Sequence, residues 1–165
     1  MAELTNLETK LGEVVGLAMA AQSATQKVMK LAQEEGDRDL VQALERMQRE
    51  AKEAEQRGTE AASAFEGKKT AILEEAREVK QKGATMLETY LDAESDALDG
   101  FEFLTMAEAG EVGHWEILET LNERARNAKV GELVQWGLPI QQRHLKEARE
   151  ASLKLASEED PDETS

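Results

Sequence analysis

TAILEEAREVKQKG, residues 70–83, lies between Gly67 and Gly83, and how it is read governs the topology of the whole chain. Its alanine, glutamate, lysine, arginine and glutamine are helix formers. It is shorter than the helical patterns on either side of it. A short helix between two pairs of long ones is a crossover that carries the chain from one helical hairpin to the next.

Toward the N-terminus, Leu4, Leu7, Leu11, Val14, Ala18, Ala21, Val28 and Leu31 recur at three- and four-residue steps. That spacing predicts a helix from Leu4 to Glu35, capped by Thr5 or Asn6 and ended at Gly36. A second helix is expected from Asp37, as N-cap, to Phe65. Its inward residues are Leu40, Leu44, Met47, Ala51, Ala54, Ala61 and Phe65, and Gly58 predicts a bend. Residues 45–60 are rich in charge. Taken alone they suit a solvated single helix, but the stripe assigns them a narrow buried face.

Toward the C-terminus, MLETYLDAESDAL, residues 86–98, reads as helical, with a break or kink at Asp99–Gly100. A third long helix is expected over Asp99–Asn127, with Phe103, Ala107, Gly110, His114, Ile117 and Leu121 innermost and Leu104, Glu111, Trp115 and Leu118 flanking them. The fourth covers Val130–Ala156, with Leu133, Trp136, Ile140, His144, Ala148, Ala151 and Leu155 inward. Pro139 predicts a kink after Gly137. SEEDPDETS, residues 157–165, is acidic and has no apolar stripe, and is expected to be disordered. The expectation is an all-α protein: a four-helix bundle of two hairpins with a short crossover helix, one domain over residues 1–156 and a tail over 157–165.

Of 165 residues, 35 are acidic and 20 basic, for a net charge of −15. Nucleic acid is an unfavourable partner for such a surface, because neutralising phosphates needs a basic face. There is no cysteine, so disulfides and thiolate zinc sites are excluded. The start, MAELTNLETK, lacks the features of a secretory signal, and the longest uncharged run, VVGLAMAAQSATQ, is too short for a membrane span. A soluble cytoplasmic protein is the expectation.

The chain has two histidines, each three residues behind a polar side chain: Glu111–His114 and Gln141–His144. Residues at i and i+3 share a helix face. Both histidines fall within apolar stripes, so both pairs are expected to face the interior. Carboxylate-bridged di-iron bundles are built this way, with Glu-x-x-His from two helices and a Glu from each of the others. Carboxylates bridge the ions and imidazoles complete the coordination. Glu50 lies on the second helix's inner side and Glu53 follows it. Glu108 and Glu147 lie one turn from Glu111 and His144 respectively, as ligands or supports for them. Two features oppose a standard site: the first helix offers only Ala18, Ala21 and Thr25 at its centre, and Gln141 is neutral. In a chain this rich in glutamate a Glu-x-x-His spacing also arises by chance, and a lone inward histidine ordinarily makes a core hydrogen bond. Trp115 and Trp136 read as core anchors, and Met19, Met29, Met47, Met86 and Met106 as gap fillers.

EVGHWEILETL (111–121), the link NAKVGEL (127–133) and PIQQRHLKEAREASLKLA (139–156) resemble the YciF-like branch of the bacterial ferritin-like superfamily. His114, Trp115, Glu116 and Ile117 carry the likeness, which covers residues 97–156. The first two helices resemble the family only in length, order and pattern. The resemblance implies a ferritin-like four-helix bundle, a homodimer, a link to bacterial stress and a di-metal centre of iron or manganese. It makes His114 and Glu111 the leading ligands. The family's His-x-x-Glu pair meets Glu50 and Glu53, His144 stands where a carboxylate is usual, and alanine replaces the first-helix carboxylate. With redox-active iron, the implied activity is oxidation of ferrous ion or scavenging of peroxide or oxygen. The competing expectation is a metal-free bundle that binds a partner or serves a structural role. A third is an encapsulated iron-handling cargo addressed by its tail.

Overall fold

The computed structural model describes residues 2–164. Among them are five α-helices and no strand: α1 (Asn6–Glu34), α2 (Arg38–Ala62), α3 (Lys69–Tyr90), α4 (Ala97–Ala125) and α5 (Ala128–Ser157). The chain is an all-α bundle. None of these helices is long and apolar enough to cross a membrane. Residues 158–164 follow α5 as exposed turns.

Four of the helices begin where a side chain satisfies free backbone N–H groups. Thr5 caps α1 in a reciprocal box, accepting from Glu8 N at 3.2 Å while Thr5 N donates to Glu8 Oε2 at 2.8 Å. Asp37 caps α2, accepting from Leu40 N at 3.1 Å, directly after Gly36 turns the chain at φ 74°. Asp96 and Asp99 form the same kind of box at the start of α4, at 2.9 and 3.0 Å. Asp99–Gly100 is therefore the first turn of a helix and not a break. Asn127 caps α5 and exchanges two hydrogen bonds with Asn122, which closes the tight α4–α5 turn.

α1 packs against α2, α3 and α4, while α5 packs against α4 and α2. Lys154, late in α5, reaches Asp37 ahead of α2 at 3.3 Å, and Lys68, ahead of α3, lies 3.8 Å from Glu8 in the first turn of α1. α3 and α5 therefore run in the same direction as α1, and α2 and α4 run against it.

α3 corrects the expected short crossover. It runs 22 residues to Tyr90, straight through Gly83, and the chain leaves helix only over 91–96. The cause is on the facing helix. Gly12, Gly16 and Ala20 lie one turn apart on α1 and form a shallow track. A Cβ on Gly12 would come within 2.7 Å of the Ile72 carbonyl oxygen, and one on Gly16 would strike the Ala76 carbonyl. A Cβ on Gly83 would come within 2.6 Å of Ala20 Cβ. Gly83 costs helix propensity of about 1 kcal/mol, and the close backbone approach offsets it through dispersion contacts. Gly58 serves the same purpose in α2, where Val15 occupies the space its Cβ would need.

The apolar core forms two clusters along the bundle. One gathers Leu11, Val14, Val15, Ile72, Leu118 and Leu133 around Trp115. The other gathers Val28, Leu40, Leu44, Met47, Leu104 and Ala148 around Phe101. Between them α1, α2, α4 and α5 change character. α1 presents Ala18, Ala21 and Thr25, α2 presents Glu50 and Ala51, α4 presents Glu108 and Glu111, and α5 presents Gln141 and His144.

Candidate functional site

The polar middle layer exists because the inner stripe of α4 is Phe101, Leu104, Glu108, Glu111, Trp115 and Leu118. The expected stripe through His114 and Ile117 is out of phase by about one residue. Ile117 is 46% exposed, His114 is half-buried, and Glu108 and Glu111 are 2% and 5% exposed. Two acids at inward positions break the hydrophobic period, so counting apolar residues alone selects the wrong face. On α5, Gln141 and His144 are buried as expected.

Glu108, Gln141, His144 and Glu50 form a connected group. Gln141 Nε2 donates to Glu108 Oε2. His144 Nδ1 lies 3.9 Å from the same oxygen, and His144 Nε2 lies 3.5 Å from Glu50 Oε1. Arg143 forks onto both oxygens of Glu50, with Nη1 at 3.0 Å from Oε1. Arg46 reaches Glu147 Oε1 at 2.6 Å, while Glu147 Oε2 is buried without a hydrogen-bond partner. Arg46 and Arg143 escaped the reading of the sequence, although each stands four residues before a site glutamate, Glu50 and Glu147, at ion-pair spacing on a helix.

The remaining candidates lie elsewhere. His114 points to α1, where its Nδ1 is 3.2 Å from Lys10 Nζ and 3.3 Å from Glu13 Oε2. The two histidines share no polar partner, so they do not converge on one point. Glu53 is half-buried and ion-paired with Arg57, which lies over the Trp136 ring at 4.4 Å. α1 adds no ligand to the layer, because Thr25 gives its hydroxyl proton to the Ala21 carbonyl at 2.8 Å. Among the described residues, no group of three or more His, Cys, Asp or Glu side chains stands close enough to hold a metal ion.

Burial sets the protonation of this layer. It pushes Glu108 up to about 8 against the Gln141 hydrogen bond, and the charge of Glu147 adds to the rise. Burial and the neighbouring Glu108 hold Glu111 well above the ordinary carboxylate range. Burial also raises Glu50, but Arg143 and His144 outweigh it and leave Glu50 below its usual value. Burial keeps His144 lowered despite Glu50, and burial with Lys10 lowers His114 despite Glu13. Burial therefore favours the protonated form of Glu108 and Glu111 and the neutral form of His144, with the charged Glu50–Arg143 pair at the edge of the layer.

Glu111 has no hydrogen-bond or ion-pair partner among the described residues. It lines, with Glu108 and His114, a cavity of about 210 Å³ between α1, α3 and α4 whose other walls are largely apolar. Met86 and Met106, expected as buried gap fillers, are 46% and 40% exposed on the edge of this cavity.

Comparison of the chain with protein-family models, with curated proteins and with solved structures finds no match.

Proposed function

We propose that the chain is a ferritin-like four-helix bundle, made of α1, α2, α4 and α5 with α3 as its helical crossover, that takes up iron or manganese in its polar middle layer. The observation that carries this reading is the burial of Glu108 and Glu111, 2% and 5% exposed, with no cationic side chain against either carboxyl. Buried acids are costly unless a proton or a cation accompanies them. The donor set suits a divalent ion with mixed oxygen and nitrogen preference. Glu108, Glu50, His144 and the Gln141 amide oxygen would hold it, with Glu111 and Glu147 one turn away as further donors. Arg143 must then release Glu50, and Gln141 must turn its oxygen inward. This set supports one ion better than two, since α1 supplies no carboxylate and His114 stands with Lys10 and Glu13.

Redox-active iron would supply oxidation of ferrous ion or consumption of peroxide or oxygen. The chain's own part would be to exclude water with the two apolar clusters and to give up protons at Glu108 and Glu111 as the ion enters. The homodimeric, cytoplasmic and stress-associated setting implied by the resemblance belongs to the same proposal.

The second reading, a metal-free bundle with a partner-binding or structural role, draws on one observation. Arg143 on Glu50 and Arg46 on Glu147 already supply the charge compensation a metal would bring. Elemental analysis of protein purified without added metal, followed by calorimetric titration with Mn²⁺, separates the two. The metal reading expects up to one bound ion per chain, lost in Glu108→Gln and retained in His114→Ala. Absence of both bound metal and titration heat would leave the metal-free bundle.

A further inference from the structure

α3 follows the glycine track on α1 and forms no extensive packed pair with α4. A crevice therefore remains between α3 and α4, and its floor is the α1–α4 contact. This is the cavity of about 210 Å³ that Glu111 lines. It is larger than the engineered cavity of about 150 Å³ that accepts a benzene ring. It is also below the usual range for drug-sized ligands, roughly 300–1,000 Å³. Size alone restricts the occupant to a few heavy atoms.

We propose that this cavity binds a small organic ammonium ion, a primary amine on a short apolar body, with its charged end at Glu111 and its body among Leu17, Ala21, Leu104, Met86 and Met106. The amine site is independent of the metal reading. The lining contains Glu108 and Glu111 and no lysine or arginine, which disfavours an anion. A bare hard metal ion needs six or more oxygen donors, and the alanines, leucines and methionines of these walls supply none. Glu111, 5% exposed and without a partner among the described residues, is the strong acceptor that this lining leaves unused. An alkylammonium would satisfy both features at once: the carboxylate receives N–H donors and a counter-charge, and the apolar walls receive the body. The two half-exposed methionines at the edge are unbranched and adaptable, so they can close over bodies of different shape.

α1 and α3 place no titratable side chain in the lining. From α4 come Glu108, Glu111 and His114, and from α5 Gln141 and His144 stand behind Glu108.

The test is calorimetric titration of the full chain at pH 7.5 with EDTA present, using n-hexylamine, 1-hexanol and hexanoate as probes. Hexylamine is expected to bind one to one with a dissociation constant on the order of a millimolar or tighter. Hexanol should bind at least about tenfold more weakly and hexanoate not at all. Glu111→Gln keeps the shape and should erase the preference for amine over alcohol. Ala107→Leu shrinks the cavity and should weaken both. Equal binding of hexylamine and hexanol, an amine affinity unchanged in Glu111→Gln, or no saturable binding of any probe would overturn the proposal. If Glu111→Gln does not fold, the probe series on the unaltered chain decides. EDTA keeps this outcome separate from that of the metal titration, so either reading can fail alone.

Discussion

Trp115 and Glu111 sit one turn apart on α4 and are almost equally buried, 2% and 5% exposed. Trp115 fills a complete apolar layer and lies so close to Gly137 of α5 that a Cβ there would strike its ring. Glu111 faces a partly empty cavity and has no partner among the described residues. The same burial stabilises one position and burdens the other. Removing a large indole from water is favourable, whereas a carboxyl must give up its charge to be there. Apolar layers at both ends hold the middle layer together, and the middle layer subtracts from stability unless something binds it.

The largest effect should come from breaking the apolar side of this comparison. Trp115→Ala should cost about 3–5 kcal/mol in urea unfolding, because the void beside Gly137 has backbone on its far wall and collapses poorly. Gly16→Val forces a side chain into the Ala76 carbonyl and should cost about 1–3 kcal/mol. Hydrogen exchange should show the loss concentrated in α3, with α4 and α5 protected as before.

The middle layer should respond to pH in the opposite sense from ordinary paired carboxylates. Glu108 and Glu111 keep their protons in the folded chain and lose them near the usual carboxylate value when unfolded. The unfolded state therefore binds fewer protons, and stability falls as pH rises from the ordinary carboxylate value toward about 8. The slope is at most about 1.4 kcal/mol per pH unit for each acid. Both histidines are lowered, which makes stability fall as pH drops below their unfolded value of about 6.5. The acids alone act between that value and 8. Urea midpoints across this window should decline, and Glu111→Gln should flatten the decline and raise the midpoint at pH 8. A rising midpoint in the unaltered chain would show that the acids are ionised.

The smallest effect sharpens the contrast between the two histidines. His114→Ala removes a half-exposed ring beside the part-buried Lys10–Glu13 pair and should cost about 1 kcal/mol or less. His144→Ala leaves Glu50 and Glu108 short of a buried partner and should cost about 1–3 kcal/mol. Equal costs would erase the distinction drawn between the two rings.

Much of this was legible in local chemistry. Thr5 and Asp37 cap the helices expected of them, and Gly36 ends α1. The stripe of α2 follows its leucines, Met47 and alanines, and that of α5 is in phase from His144 onward, whereas before it Gly137 and Gln141 are buried in place of Trp136 and Ile140. α4 misled for a physical reason: its inner face carries two acids, and hydrophobic counting treats a buried acid as a surface residue. That single shift turned His114 inward on paper and reduced Glu111 to a flanking position. It also split the candidate ligands. Glu50, Glu108, Gln141 and His144 come together, Glu111 faces the neighbouring cavity, and Glu147 pairs with Arg46. His114 and Glu53 stand apart.

Helix content, most helix ends and the all-α character followed from the residues alone, since capping, propensity and periodicity act within a few positions of the chain. The length of α3, the rotation of α4 and the separation of the two imidazoles arose only when the helices met. Backbone contact at Gly16 and Gly83 prolonged a helix that its own glycine weakens. Packing of Trp115 against Gly137 fixed which side of α4 turned inward, carrying Glu108 and Glu111 with it. Both outcomes depend on atoms far apart in the chain, and no window of neighbouring residues contains them.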